Sequence, residues 1–170
     1  MDARAATVTI VLMGVAGSGK STVMGRLRER LDWPSAEADA FHPAENVAKM
    51  SSGRPLNDAD RGPWLRALAA WIGEREAAHE NCLVTCSALK RSYRDLLREG
   101  HPSVRFVHLV AATDVLQQRI ANRRDHYMPA SLLGSQLETL ERLQPDEPGV
   151  VVSAELPPDQ IVHAIEAWLR

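Results

Sequence analysis

Short runs of apolar residues alternate along the chain with longer segments in which apolar positions recur every three to four residues. The runs are Thr7–Met13, a weaker one at Ser35–Asp39, then Cys82–Cys86, Val104–Val110 and Val150–Val152. They are short and carry little charge, as strands do when both of their faces are covered. Between them, Gly62-Pro63 predicts the start of a long helix with Pro63 at its first position; Trp64, Leu65, Leu68, Trp71 and Ile72 then form one apolar stripe, which places both tryptophans in the core. Pro157-Pro158-Asp159 opens a last helix whose Ile161, Ile165, Trp168 and Leu169 share a face. This alternation predicts an α/β fold: a five-stranded parallel sheet with helices on both faces, three layers in all.

A chain of 170 residues with net charge −2 fits a single domain over residues 1–170. Near-neutral charge and few aromatic residues argue against a nucleic-acid partner. The N-terminal segment is polar, and the apolar run after it is too brief for a secretory leader or a membrane span, so a cytoplasmic protein with no membrane partner is expected. Cys82 and Cys86 fall on one strand, roughly 13 Å apart, too far for a disulfide. Both are expected to be buried thiols.

The first run leads directly into Gly14-Val-Ala-Gly-Ser-Gly-Lys20-Ser21, a complete G-x-x-x-x-G-K-S phosphate loop. Strand, glycine-rich turn and helix start together make it a nucleoside triphosphate site, with Gly14, Val15, Ala16, Gly17, Ser18, Gly19, Lys20, Ser21 and Thr22 as the ATP-binding residues. Backbone amides cradle the phosphates, Lys20 reaches the β and γ oxygens, Ser21 is the metal ligand for Mg²⁺, and the helix dipole adds positive potential. A dinucleotide fingerprint is rejected, because Thr22 stands where its third glycine belongs and Lys20-Ser21 has no role in it.

A phosphate loop alone does not separate a motor, a switch and a kinase. The run Cys82–Ser87 ends without the acid that motor ATPases place after an apolar strand, and no N-K-x-D guanine signature occurs. Asp39, after the second strand, is the acid left to orient an attacking hydroxyl. Arg119 and Arg123, four apart near the end of a helix whose start is capped around Thr113-Asp114, share a face and supply cations for the transferring phosphoryl, in a lid spanning about 119–135. The plain alternative for these arginines is to complement the helix dipole.

From Asp39 through His42-Pro43, Asn46, Lys49-Met50, Gly53, Pro55-Leu56, Asp58, Asp60-Arg61 and Pro63-Trp64-Leu65, the chain resembles the gluconokinase family of the thermoresistant type. The resemblance continues through Cys86–Arg91, Tyr93–Arg98, Arg119 to Met128-Pro129, and Ser135–Glu141. It implies a nucleoside-monophosphate-kinase-like fold, often homodimeric, that moves the ATP γ-phosphoryl to the C6 hydroxyl of D-gluconate. It implies further that Asp39 orients or deprotonates that hydroxyl and that His42, Lys49, Arg54, Arg61, Lys90 and Arg94 are substrate-binding candidates. Each has a plainer reading: Arg61 can pair with Asp58 and Asp60, His42 can serve a turn, and Lys90-Arg91 can be an exposed helix start.

Two departures from the family pattern stand out. Arg123-Arg124-Asp125-His126 carries Asp125 where the family has glycine, which adds stiffness and negative charge. The stretch Leu143–Val150 is slightly short and is expected near the adenine. A shikimate-kinase-like enzyme is disfavoured because no Gly-Gly turn occurs, and a catalytically silent nucleotide-binding regulator because Lys20, Ser21 and Asp39 are all present.

Overall fold

Strand alternation decides which side chains enter which core. In a computed structural model that describes residues 6–122 and 130–170, the strands are β1 (Thr9–Met13), β2 (Ser35–Glu37), β3 (Cys82–Thr85), β4 (Val104–Val110) and β5 (Gly149–Ser153). All pairings are parallel, in the order β2-β3-β1-β4-β5, with Val11 opposite Val84 and Phe106. Val11, Met13, Val84, Val104 and Phe106 point to one face, and Ile10, Leu12, Leu83, Val107 and Leu109 to the other. Both sets are buried, which is why these strands read as unbroken apolar runs.

The first face is covered by α3 (Asp58–Ala77) and α4 (Arg91–Arg98), the second by α1 (Lys20–Leu31) and α7 (Pro158–Leu169). A third cluster, Val15, Ala16, Leu89, Leu116, Ile120 and Leu133, seats α5 (Thr113–Ala121) and α6 (Ala130–Thr139) against the phosphate loop. Helix α2 (Ala44–Ser51) completes the chain's helices among the described residues. Cys82 and Cys86 are buried free thiols.

Three local expectations change. Helix α3 begins at Asp58, ahead of Pro63, because Asn57 and Asp60 form a reciprocal capping box: Asp60 N donates to Asn57 Oδ1 at 2.8 Å and Asn57 N to Asp60 Oδ2 at 2.9 Å. Pro63 therefore lies inside the helix, where it removes one backbone bond. Strand β2 stops at Glu37, and Asp39 sits on an exposed 3₁₀ turn, Ala38–Phe41, so it is not a buried strand end. Helix α5 has Ala112 at its N-cap and no side-chain cap from Thr113 or Asp114; instead Ala112 N donates to Glu155 Oε2 at 3.1 Å. Arg123, Asp125 and the centre of the expected lid lie outside the described residues.

Candidate active site

The phosphate loop follows the central strand, and its backbone can be built only with glycine at two tight points. Gly17 has φ +81°, and a Cβ there would stand 3.1 Å from the Leu116 carbonyl and from Ile120. At Gly14 a Cβ would meet the Leu109 carbonyl at 2.8 Å. The first helical bond of α1 is from Val23 N to Gly19 O at 3.0 Å, so the amides of Ser21 and Thr22 have no acceptor within the helix. That leaves donors and the dipole's positive end facing the loop's mouth. Lys20 Nζ is folded back onto the carbonyls of Gly14 and Val15, at 2.9 and 3.2 Å.

At the rim of this loop, the Ser21 hydroxyl donates to Glu37 Oε1 at 2.7 Å, with both side chains exposed. A hydroxyl and a carboxylate in contact form a hard-oxygen pair of the kind Mg²⁺ takes, so the residues present fit that ion. Glu37 was not among the acids singled out from the sequence. Asp39 stands two residues further on, in the 3₁₀ turn that Glu37 caps. Burial pushes the Cys86 thiol, at the end of β3, up to about 12; Lys20 lowers it and Asp39 raises it, so both groups lie within electrostatic reach of this one point.

A second group of polar side chains gathers around the start of α3. Trp64 Nε1 donates to the Ala38 carbonyl at 2.7 Å, which pins the turn bearing Asp39, and the indole stacks on His42 with ring centroids 4.3 Å apart. Burial holds the His42 imidazole below its ordinary pKa; Asp39 opposes this and Arg61 reinforces it. Asn46, itself buried, donates to His42 Nδ1 at 3.3 Å and to the Asp60 carbonyl at 2.9 Å. Lys49 Nζ donates to Asp60 Oδ2 at 2.6 Å, and this ammonium holds the Asp60 carboxyl below its usual range. Arg61 Nη1 donates to the Tyr93 hydroxyl at 3.0 Å, and its guanidinium also lies 5.5 Å from that ring's centroid. Lys90 Nζ lies 5.6 Å from the same centroid and donates to both Asp58 oxygens at 3.2 Å. The Tyr93 hydroxyl donates to Asp58, and this bond, then Lys90, keeps Asp58 ionised to lower pH than usual. The Lys90 loop adjoins the phosphate loop through Gly14 N and the Ser87 carbonyl, 3.3 Å apart.

The remaining candidates are placed elsewhere. Arg54 is exposed and donates to Ser52 Oγ at 3.2 Å. Arg94 is a correction: its side chain is fully buried, and all five of its N–H groups are engaged within the fold. They serve Glu147 Oε1 and Oε2 at 2.6 and 3.1 Å, and the carbonyls of Ala88, Leu89 and Arg142 at 2.8, 3.3 and 3.3 Å. No donor is left for a substrate. Arg119 Nη2 donates to the Ala154 carbonyl at 2.7 Å, which ties α5 to the turn after β5. The stretch Leu143–Val150 packs against α4, with Leu143 on the core and Gln144 and Asp146 on Arg91.

A family model described as an AAA domain matches residues 9–143. The Gluconobacter oxydans gluconokinase is 49% identical over 92% of this chain and 88% of its own length. The chain belongs to the gluconokinase family. The Escherichia coli thermoresistant gluconokinase is 44% identical over 84% of this chain and 81% of its own. The crystal structure of a gluconokinase from Sinorhizobium meliloti superposes with a TM-score of 0.83 at 48% identity, covering 98% of this chain and 93% of that one. The gluconokinase-family pattern read from the sequence falls on α2, the start of α3 and the β3–α4 loop, which the fold brings to the carboxyl edge of the sheet beside the phosphate loop. Tyr93 and Asp58 lay within that pattern but were not named as substrate-binding candidates; their polar type on the same edge as Lys90 is the signal that finds them.

Proposed function

We propose that the protein transfers the γ-phosphoryl of ATP to the C6 hydroxyl of D-gluconate, giving 6-phospho-D-gluconate and ADP. The observation that carries the reading is the polar cluster of Lys90, Arg61, Tyr93, Asp58 and Lys49, contributed by α2, the start of α3, α4 and the β3–α4 loop, the last of which is bonded to the phosphate loop. An anionic polyol asks for a cation at its carboxylate and for mixed donors and acceptors along its hydroxyls. Lys90, Arg61 and Lys49 supply the first; Tyr93, Asp58, Asn46 and His42 supply the second, and Arg54 guards the rim.

Asp39 accepts the proton of the C6 hydroxyl as the new O–P bond forms and the bond from the γ-phosphorus to the ADP oxygen breaks. Lys20 and the loop amides hold the phosphates, with Thr22 at the α-phosphate end. Ser21 and Glu37 are the residues to hold Mg²⁺, which when bound offsets charge on the β and γ oxygens. Arg119 and Arg123, from the segment 119–135 assigned to the lid, are the cations proposed for the transferring phosphoryl, and the chain works as one kinase domain over residues 1–170. A cytoplasmic homodimer with no nucleic-acid or membrane partner accords with this reading. The test is ADP release from MgATP against D-gluconate, other aldonates, shikimate, glycerate and no acceptor, with the product position read by ³¹P NMR. Gluconate-dependent ADP with phosphorus on C6 is the expected result; turnover with another acid alone overturns the substrate.

A further inference from the structure

We infer that Gln136 and Glu141 are positioning residues that fix the distance between the phosphate loop and Lys90, and so align the phosphoryl donor with the sugar acid. The inference rests on the gluconate kinase reading above and names two residues to which that reading gives no role. Gln136, on α6, accepts a hydrogen bond from Ala16 N through Oε1 at 2.7 Å. Ala16 is the third residue of the phosphate loop, so a side chain from a distant helix holds the loop's backbone 120 residues away in sequence. The contact is reinforced by packing, because Leu133, Leu137 and Leu140 of the same segment lie on the cluster that contains Val15 and Ala16.

The other end of this segment holds the acceptor side. Glu141 N donates to the Leu89 carbonyl at 2.7 Å, and Glu141 Oε1 accepts from Arg91 N at 2.9 Å. These two bonds bracket Lys90 on both sides. Within six residues, then, α6 and the turn that follows it grip the donor loop at one end and the backbone carrying a substrate cation at the other. Helix backbone is stiff, so a bond lost at either end lets the two halves of the site move relative to each other. Small errors of that kind are costly in transfer reactions: a 1 Å misplacement is worth roughly a hundredfold in rate. Water, being small and abundant, tolerates the misplacement better than a bound alcohol does.

The experiment compares wild type with Gln136→Met, which keeps the side-chain length and removes the acceptor; Glu141→Ala, which removes it; and Glu141→Gln, which retains an acceptor oxygen for Arg91. ADP and 6-phosphogluconate are counted in the same reaction, and MgATP affinity is measured by calorimetry. Gln136→Met and Glu141→Ala are expected to lose about tenfold or more in kcat with MgATP affinity within about threefold, and to release more ADP than 6-phosphogluconate as water replaces the acceptor. Glu141→Gln is expected to restore near wild-type coupling. Unchanged kcat and one-to-one stoichiometry in Gln136→Met overturns the inference, as does parallel loss of kcat and MgATP affinity, which makes the bond a support of the loop alone. A wild type that forms no 6-phosphogluconate overturns the kinase reading, and this inference with it.

Discussion

Replacing Glu147 by Gln leaves the Arg94 guanidinium buried without its counter-charge, and the cost of that follows from the geometry. Both side chains are fully excluded from solvent, at 0% exposure each. The carboxylate accepts from Nε and Nη2, and also from Gln144 N at 2.8 Å, so the pair has its hydrogen bonds satisfied. Breaking such a pair from one side costs about 3–5 kcal/mol, because the remaining charge keeps its desolvation penalty and loses its attraction. Against a typical domain stability of about 5–15 kcal/mol, that is a large fraction, and for a chain of this size it lowers Tm by about 10 °C. Arg94→Met should cost a similar amount, since it takes both guanidinium bonds from the buried carboxylate, which keeps only Gln144 N at hydrogen-bond distance, and removes a donor from the Ala88 and Arg142 carbonyls. Arg94→Met/Glu147→Leu should cost less than the sum of the two single changes by about 3 kcal/mol. Urea unfolding followed by tryptophan fluorescence, with Tm from calorimetry, reads all three. A Glu147→Gln protein within about 1 kcal/mol of wild type would refute the reasoning. So would an Arg94→Met protein of unchanged stability with a raised KM for gluconate, which would return the guanidinium to the substrate.

Lys20→Ala should lower kcat by roughly 10²–10³-fold with the circular dichroism spectrum unchanged; activity within about tenfold of wild type would remove Lys20 from the transition state. Asp39→Asn should cut kcat by about a hundredfold with MgATP affinity within about threefold, whereas Glu37→Gln should raise the Mg²⁺ concentration needed for half-maximal rate. Equal loss of turnover and metal affinity in Asp39→Asn would make it a metal residue. His108, buried on β4 with Nδ1 unpartnered, has its pKa lowered from 6.5 to about 4, by burial first and then by Arg94, Arg142 and Lys20. The unfolded chain takes up this proton first, so stability falls as pH drops from about 6.5 to about 4, by about 3 kcal/mol over that window. His108→Leu should flatten this part of the urea stability profile, and an identical slope in wild type and variant would exclude His108 as its source.

What could be read from the sequence and what could not divide along a physical line. Strands β1, β3 and β4 are buried on both faces, so their apolar runs announce them; β2 is an edge strand of partly exposed residues, and its signal ran two residues past its end at Glu37. That slip had a consequence for the site. With the strand read as running to Asp39, that residue was singled out as the acid following it, while Glu37, the acid that touches Ser21, was passed over. Both acids are exposed, so burial argues for neither, and the proposed role of Asp39 rests on the electrostatic influence that it and Lys20 both exert on the Cys86 thiol just past β3.

Arg94 shows the converse. A guanidinium beside Lys90, Arg91 and Tyr93 in a motif rich in cations looks like a substrate ligand, and only a partner 53 residues away turns it inward. Local pattern carries the helix face on which a residue sits, and Arg94 does lie on the buried face of α4 with Tyr93 and Leu97. Had that face been weighed as the tryptophans of α3 were, the arginine would have required a buried carboxylate. Glu147 then follows as its answer, since a charge with five donors and no solvent is stable only when each donor finds oxygen. The same reasoning applies at Gln136: a polar residue next to Leu133, Leu137 and Leu140, on the helix side facing the phosphate loop, has an accepting oxygen that must meet a donor, and the loop amide is the donor in reach.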